Sequence, residues 1–351
     1  MSETEASFLP KNNNYLLGHE NVEKMFLEAW KNNSLHQSWL ISGIKGIGKA
    51  TFAYKLARFL LSVEDEKRNN YKSLDVAPDS QVFKQISSGA HPDFKLIERG
   101  YIKTEKQKII KAIKDGNYMT EDELAELKKS SVITVDDVRT INEFLAKKSA
   151  DGRWRVVIID SVDEMNSSSA NAVLKILEEP PHKTVMLLVS HNPARLLPTI
   201  KSRCAKLELK PLNEGIVASL LRRYRPEMSE DDIKKTVAIA GGSIGKAISY
   251  ADGDAVGFYD KIYRLATSGK NFNTGKLIKF CDEVSANEEN YGLFKELICK
   301  FLNEQIKSLN KVEESLRVFD KAIHTFIEVE SLNMDKRQAI MNIMVDVCRV
   351  Y

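Results

Sequence analysis

A glycine-rich segment carries the clearest chemistry in this sequence. It reads GIKGIGKAT from Gly43 to Thr51, after the apolar run Ser38–Ser42 and before a helical pattern. Glycines let backbone N–H groups curl around a phosphate, and the N-terminus of the next helix adds positive potential. Lys49 would reach the terminal phosphates. The segment predicts a phosphate-binding loop built on Gly43, Gly46, Gly48 and Lys49. The alternative is a glycine-rich strand-to-helix turn that binds no ligand.

The residue after Lys49 departs from this chemistry. Phosphate loops place a Ser or Thr there, because its hydroxyl ligates Mg²⁺. Ala50 has no ligand atom. Thr51 is turned a further 100° or so around the helix, so we expect its hydroxyl to point elsewhere, although it stays among the candidate nucleotide-binding residues. We therefore expect ATP or ADP to bind weakly at most, and no cofactor to be required.

A second candidate is Asp160, which ends the nearly all β-branched run Arg155–Asp160. In phosphate-loop proteins an Asp at this place holds Mg²⁺. Many ATPases carry a Glu directly after it to polarise the attacking water, and here that residue is Ser161. Asp163 and Glu164 follow as either a displaced base or a solvated helix start. Because phosphoryl transfer depends on placed charge, these losses predict weak or absent ATP hydrolysis.

A third candidate is Arg203, within the segment Ser202-Arg203-Cys204. A guanidinium is always charged and forks onto phosphate oxygens, so an Arg can serve the nucleotide of a neighbouring subunit. Taken alone, a single Arg is more often a surface or ion-pairing residue.

The elements that would position these residues alternate in the first half of the chain. Apolar runs separated by helical patterns indicate a parallel sheet buried on both faces. The runs predicted as strands are Ser38–Ser42, Phe94–Glu98, Arg155–Asp160, Thr184–Ser190 and Ala205–Leu209. The intervening helices are predicted over Thr51–Leu61, Val135–Lys147 and Ser168–Glu179. Short helices follow over Glu214–Tyr224, Ser229–Ala240 and Ile244–Tyr250, and the chain beyond residue 254 is helical and has no proline.

Composition excludes several classes of protein. The 351 residues are 43% hydrophobic and carry a formal net charge of +3, which rules out a disordered chain and disfavours a dedicated polyelectrolyte binder. The apolar stretches are too short to cross a bilayer, and the polar N-terminus has no signal pattern. Four cysteines stand singly, with no CxxC motif. We expect a reduced cytoplasmic protein without disulfides, membrane contact or a metal site.

Two tracts, 62–93 and 99–132, interrupt the sheet pattern. The second has a lysine-rich helical stretch with Lys103, Lys106, Lys108, Lys111 and Lys114, and then the acidic stretch Glu121–Glu126. Both tracts are expected to be solvated insertions. The functional alternative is a surface that meets DNA or a partner subunit.

Four motifs occur in order and carry a family resemblance. They are Gly43–Thr51, Val156–Asp160, the run LKILEEPP over Leu174–Pro181, and Ser202–Cys204. This series resembles the clamp-loader AAA+ ATPases of DNA replication, and the LKILEEPP run followed by a strand and SerArgCys is highly specific to them. Two further stretches, Gly152–Asp160 and His91–Asp93, are more specifically similar to the delta-prime members found in bacterial DNA polymerase III. The resemblance covers residues 15 to 250.

The resemblance implies an α/β P-loop fold of the RecA-like AAA+ type, a small helical lid and an all-α C-terminal collar that oligomerises. The boundaries expected are a disordered N-terminus over 1–14, the nucleotide-binding domain over 15–210 with its two insertions, the lid over 211–253 and the collar over 254–351. The implied assembly is a hetero-pentameric open ring with tau/gamma and delta subunits. Through this complex the chain would meet the sliding clamp and primer–template DNA.

The family also implies roles for individual residues. Arg203 corresponds to an arginine finger inserted into the adjacent subunit's ATP site, and delta-prime members typically act as a stator that does not itself hydrolyse ATP. Ala50 and Ser161 depart from the active pattern, and Gly245 stands where the lid motif Gly-Ser-x-Arg has its Arg. Residues 61–93 lack the four cysteines of a zinc module that many relatives carry, so no zinc is expected. Polymerase activity would belong to the holoenzyme and not to this chain.

Two alternatives stay open. One is an ATP-hydrolysing motor, such as a tau/gamma-like loader subunit or a branch-migration helicase. The other is a pure scaffold whose phosphate loop is vestigial.

Overall fold

A computed structural model describes residues 8–117, 119–147, 149, 152–268, 273–308 and 311–351. The chain divides into two compact units. The first comprises Met1–Leu220 with Gly242–Gly245, and the second comprises Leu221–Gly241 with Lys246–Tyr351. The predicted boundaries near residues 210 and 253 stay predictions.

The first unit is built on one parallel sheet of five strands. They are β1 (Ser38–Ser42), β2 (Phe94–Ile97), β3 (Arg155–Asp160), β4 (Thr184–Ser190) and β5 (Ala205–Glu208). Their order across the sheet is β2-β3-β4-β1-β5. The central pair runs in register from Ser38 opposite Met186 to Ser42 opposite Ser190. The predicted parallel α/β fold is therefore confirmed.

The first unit also contains helices. They are α1 (Glu20–Lys31), α2 (Lys49–Ser62), α3 (Gln81–Ser87), α4 (Lys103–Lys114), α5 (Glu121–Glu126), α6 (Val135–Ala146), α7 (Ser167–Glu178) and α8 (Pro198–Ser202). Single 3₁₀ turns lie at Val162–Glu164 and Pro193–Arg195, and a longer one at Asp65–Asn70. The 62–93 tract thus contains α3, and the 99–132 tract contains α4 and α5.

Strand residues alternate between two apolar cores. Trp39, Ile41 and Val156 face one core together with Trp30 and Phe52. The intervening strand residues face the other core, which α6 and α7 cover: Leu40, Val157, Ile159, Met186 and Leu188. Because successive strand side chains point to opposite faces, a sheet covered on both sides needs apolar residues at nearly every position. That requirement explains the uninterrupted apolar runs in the sequence.

The second unit is helical. The division between the units falls within α9 (Glu214–Tyr224), and the first two residues of α11 (Ile244–Asp252) belong to the first unit. The other helices of the second unit are α10 (Glu230–Ala240), α12 (Ala255–Thr267), α13 (Thr274–Ser285), α14 (Glu288–Lys307), α15 (Val312–Leu332) and α16 (Lys336–Val350). Its core is held by a chain of aromatic pairs. The ring centroids of Phe258 and Phe280 are 5.2 Å apart, and Phe294 lies 6.1 Å from Phe280 and 6.2 Å from Phe326.

The N-terminal segment differs from the prediction of disorder over 1–14. Residues 1–7 lie outside the described residues. Residues 8–14 are held by hydrogen bonds, because the buried guanidinium of Arg58 donates to the carbonyls of Lys11 and Asn13, and Ser87 Oγ donates to Lys11 O at 2.6 Å. A buried guanidinium needs hydrogen-bond acceptors, and residues 8–14 supply them. The sequence pattern places Arg58 on a helix but gives no sign of this contact.

Candidate functional site

The predicted phosphate loop lies between β1 and α2, as its sequence context requires. Gly43, Gly46 and Gly48 have φ values of 147°, 81° and 100°, which L side chains rarely adopt. The loop is also closely surrounded. A Cβ on Gly43 would lie 2.4 Å from the carbonyl oxygen of Leu209, and one on Gly48 would lie 2.7 Å from Leu16. All three glycines are therefore required by the backbone that the loop adopts.

Lys49 turns its ammonium group back onto its own loop. Its Nζ atom donates to the carbonyl oxygens of Gly43 at 2.8 Å and Ile44 at 2.6 Å, and the residue is only 3% exposed. Burial lowers the pKa of Lys49 to about 8, although Asp160 and Asp163 attract its charge. The loop carbonyls thus engage two of the three N–H donors of the ammonium group. Thr51, the other candidate on α2, is buried in the first turn.

The segment Gly242–Gly245 packs directly on the loop within the first unit. Gly245 N–H donates to Gly46 O at 2.8 Å, and Ser243 Oγ donates to Lys45 O at 2.8 Å. A Cβ on Gly245 would come within 2.8 Å of Gly46 Cα. Gly245 is the position where the lid motif has its Arg. The backbone of this segment therefore lies against the loop where an arginine side chain would need room.

Asp160 lies at the end of β3, and burial together with the charge of Glu98 raises its pKa. Ser161 follows in the left-handed region, with a φ of 68°. Its hydroxyl pairs with His191 Nε2 at 2.9 Å, and Asp163 accepts from the backbone N–H of His191 at 2.9 Å. Burial, followed by the charge of Lys49, lowers the pKa of His191, which favours the neutral ring.

The two carboxylates after Ser161 both contact other groups of the protein. Asp163 is engaged by the His191 backbone, and Glu164 Oε2 forms an ion pair with Arg99 Nε at 2.9 Å. Ala50 offers no hydroxyl to Mg²⁺, and Ser161 stands where many ATPases have a glutamate, so the residues present lack two groups of the active pattern.

His19 is a residue of the site that the sequence reasoning missed. It lies just before α1, is 4% exposed, and donates from Nε2 to the carbonyl oxygen of Ile47 at 2.8 Å. Burial lowers its pKa, so the neutral ring is favoured. This hydrogen bond holds the loop at Ile47. A lone histidine 28 residues from its acceptor gives no sequence signal of this contact.

Arg203 lies at the amino-terminal end of the parallel strands, whereas the loop lies at their carboxyl-terminal end. The register pairs Trp39 with Ala205 and Ser42 with Glu208, so Arg203 precedes β5 whereas the loop follows β1. At about 3.3 Å per residue, the strands alone separate them by roughly 13 Å. Arg203 cannot serve its own loop across that distance.

Arg203 lines a cavity of about 920 Å³ together with Trp154, Lys183 and Glu178. Nη2 donates to Glu178 Oε1 at 2.8 Å and Nη1 to the carbonyl oxygen of Thr199 at 3.0 Å. The side chain is 36% exposed. The guanidinium is therefore both positioned and accessible.

Comparison with known proteins decides the family. Residues 18–213 match the model of the family described as DNA polymerase III, delta subunit. The chain belongs to this family. The match includes β1 to β5, the loop, Asp160 and Arg203, and it confirms the resemblance stated from the motifs.

Individual relatives agree. The chain is 33% identical over 208 residues to "DNA polymerase III subunit delta'" of Pseudomonas aeruginosa, which is 59% of this chain and 53% of that protein. It is 30% identical over 219 residues to the subunit of the same name in Escherichia coli, 62% of this chain and 55% of that protein. It is also 28% identical over 247 residues to "DNA polymerase III subunit tau/gamma" of Haemophilus influenzae, 69% of this chain and 31% of that protein. The matches span about half the length of the delta' relatives.

The described residues offer neither a cluster of metal ligands nor a membrane-spanning helix. No three His, Cys, Asp or Glu side chains among them are grouped as metal ligands. None of the described helices combines the length and apolar character needed to cross a membrane. The expectation that the chain holds no zinc stays a prediction.

Proposed function

We propose that this chain is a delta-prime-like subunit of a DNA polymerase III clamp loader, which hydrolyses little or no ATP itself and donates Arg203 to the ATP site of a neighbouring subunit. Its partners would be tau/gamma and delta subunits in a hetero-pentameric ring. Through the ring it would act on the sliding clamp and on primer–template DNA. The proposal places this chain in the cytoplasm and requires no cofactor of its own.

The position of Arg203 carries this proposal. The guanidinium is accessible, lies roughly 13 Å or more along the strands from its own loop, and is held by Glu178 and Thr199. A guanidinium that cannot reach the phosphate loop of its own chain is suited to a nucleotide site on another molecule. An arginine supplied in trans stabilises charge that develops on the transferred phosphoryl group.

The state of the chain's own loop supports the second half of the proposal. Ala50 offers no Mg²⁺ ligand, Lys49 is engaged by loop carbonyls, and Gly245 replaces the lid arginine. Any ATP or ADP bound at Gly43, Gly46, Gly48, Lys49, Thr51 and Asp160 would therefore be held weakly.

The decisive experiment measures the ATPase rate of the reconstituted loader with Arg203→Ala. We expect a fall of at least about tenfold, since such arginines contribute large factors to turnover. Arg139→Ala is the matched control, because Arg139 is an exposed arginine with one carboxylate partner, Asp136 at 2.8 Å. An unchanged rate with Arg203→Ala would favour the pure scaffold.

The tau/gamma relative makes an ATP-hydrolysing loader subunit the second candidate. The purified chain alone distinguishes the two. Brisk ATP turnover by this chain without partners would overturn the non-hydrolysing role. Turnover that appears only when Ala50 and Ser161 are replaced by Thr and Glu would support it.

A further inference from the structure

The helix α4 is a part of the first unit that the core does not use. None of its twelve described residues is buried. Only Glu105, Ile109 and Ala112, which share one side of the helix, are half-buried, and the other nine residues are exposed. A surface helix of a globular protein ordinarily buries an apolar stripe. The helix α4 is therefore held by the chain segments at its N-terminal end and not by apolar packing.

Those chain segments are well defined. At the end of the edge strand β2, Gly100 O accepts from Ser130 N–H at 2.7 Å and Ile102 N–H donates to Lys128 O at 3.1 Å. Within the helix, Lys106 Nζ reaches Asp137 Oδ1 at 3.4 Å. The two ends of the insertion are thus pinned together, and α4 starts directly from this pin.

The charge of the first unit is concentrated on α4. The helix has five lysines and one glutamate, a formal charge of +4, whereas the whole chain carries only +3. All other residues together are therefore formally at −1. A local excess of this size at an exposed site draws polyanions regardless of the nearly balanced total.

Three of the lysines are available for an external anion. Lys106 pairs with Asp137 and Lys108 with Glu105. In the part of the chain that the structure describes, Lys103, Lys111 and Lys114 have no carboxylate within 4.0 Å. At about 100° per residue these three lie within an arc of roughly 80°, and at 1.5 Å per residue they span about 16 Å of the helix.

We propose that this α4 lysine face, defined as Lys103, Lys111 and Lys114, binds the phosphate backbone of DNA without reading its sequence. Duplex DNA carries one negative charge per 1.7 Å or so of its axis, so a face about 16 Å long meets several phosphates at once. Lysine ammonium groups act as point charges on phosphates, and contacts of this kind position a protein without specifying bases. This contact is separate from the proposed insertion of Arg203 into a neighbour's ATP site.

The apolar residues of α4 argue against a membrane as the occupant. Helices that lie in a bilayer interface present a broad apolar face, commonly with Trp, Phe or Leu. On α4 two isoleucines are exposed, Ile110 between Lys103 and Lys106 around the helix and Ile113 just beyond Lys106, and the helix has no aromatic residue. The apolar strip therefore lies on one side of the lysine face and contains only two residues, which suits a polyanion better than a bilayer.

The test measures binding of the full chain to a short fluorescein-labelled DNA duplex by anisotropy, between about 50 and 200 mM salt. Replacing Lys103, Lys111 and Lys114 together by Gln keeps the helix propensity and removes three charges. We expect the affinity at low salt to fall at least about tenfold and the log–log salt slope to fall by about 3, close to 0.9 per lost phosphate contact. The same three positions changed to Arg are expected to retain binding.

The matched control replaces Lys72, Lys84 and Lys206 by Gln. These lysines are exposed in the first unit and likewise have no carboxylate within 4.0 Å among the described residues. Equal losses in both triple variants would reduce the effect to net charge and overturn the proposal. The proposal would also be overturned if poly-glutamate displaced DNA with the same affinity per negative charge. It would likewise be overturned if phosphatidylserine vesicles bound the wild type and did not bind the α4 variant. Thermal unfolding of each variant verifies that the fold is intact, and Arg203→Ala is expected to leave duplex binding unchanged.

Discussion

Arg203 Nη2 lies 2.8 Å from Glu178 Oε1, and this ion pair joins the two most specific motifs of the chain. Glu178 ends α7 in the LKILEEPP run, and Arg203 follows α8. With Nη1 on the Thr199 carbonyl, two of the five guanidinium N–H groups are engaged. The remaining donors can face a phosphate. The pair therefore orients the arginine without consuming its capacity.

The first prediction concerns Glu178→Gln. Both partners are substantially exposed, at 36% and 50%, so the loss in free energy of unfolding should be below about 1 kcal/mol. The amide keeps the shape but loses the charge that orients Arg203. We expect the ATPase kcat of the reconstituted loader to fall severalfold, less than with Arg203→Ala. KM for ATP should be unchanged, since under the proposed function the neighbouring subunit binds the nucleotide. A change confined to KM would contradict this positioning role.

The second prediction concerns the contact between the loop and Gly242–Gly245. A Cβ on Gly46 would lie 2.4 Å from Ser243 Oγ and 3.1 Å from Gly245 Cα, at a φ of 81°. Gly89 has a similar φ of 71° but nothing within 4 Å of its Cβ position. We expect Gly89→Ala to cost about 1 kcal/mol from backbone strain, and Gly46→Ala about 1–2 kcal/mol more from the clash. Urea unfolding of both variants measures the difference, and equal costs would show that the contact imposes no constraint.

The third prediction is a pH dependence from His19. Burial holds its folded-state pKa below the ordinary value of 6.5, so the unfolded chain binds the proton more readily. The free energy of unfolding should therefore fall as the pH drops from 6.5 through the folded-state pKa. Gln at this position can still donate to Ile47 O but does not titrate, so His19→Gln should give a shallower decline. His91 and His191 also have lowered pKa values and should preserve part of the slope. Identical slopes for wild type and variant in urea melts from pH 7.5 to 5 would exclude His19.

Local patterns predicted the sheet well. The runs Ser38–Ser42, Arg155–Asp160 and Thr184–Ser190 have the strand bounds that the structure has, because a Ser or Asp marks the end of each apolar stretch. The turn at the loop was also predictable from the sequence, since the glycines at 43, 46 and 48 indicate positive φ, which all three adopt.

Long-range contacts could not be predicted in this way. Gly245 meets Gly46 across nearly 200 residues, and neither residue carries a side chain whose chemistry would reveal it. The left-handed backbone of Ser161 arises where β3 turns toward His191, a condition set by tertiary structure and not by the propensity of serine. The helices α1 and α3 were missed because their polar faces outweigh their few buried positions, such as Trp30 and Phe83.

The fourth prediction concerns Arg58, which is 2% exposed and has Phe83 beneath it, with the guanidinium carbon 3.8 Å from the ring centre. Burial lowers its pKa to about 10, so it stays charged at neutral pH and needs the carbonyls of Lys11 and Asn13. Arg58→Met keeps the apolar packing but leaves those carbonyls without their donor. We expect a cost of about 2 kcal/mol and faster amide exchange over residues 8–14.

Lys55→Met provides the comparison on the same helix. Lys55 is a buried cation that pairs with Glu23 and Asp75, both at 2.8–2.9 Å, and it has no hydrogen bond to residues 8–14. Its substitution should also destabilise the first unit, because two carboxylates lose their partner. Hydrogen exchange followed by mass spectrometry separates the two variants. Only Arg58→Met should release residues 8–14 beyond the level set by global stability, and an equal release in both would mean that Arg58 does not anchor the segment.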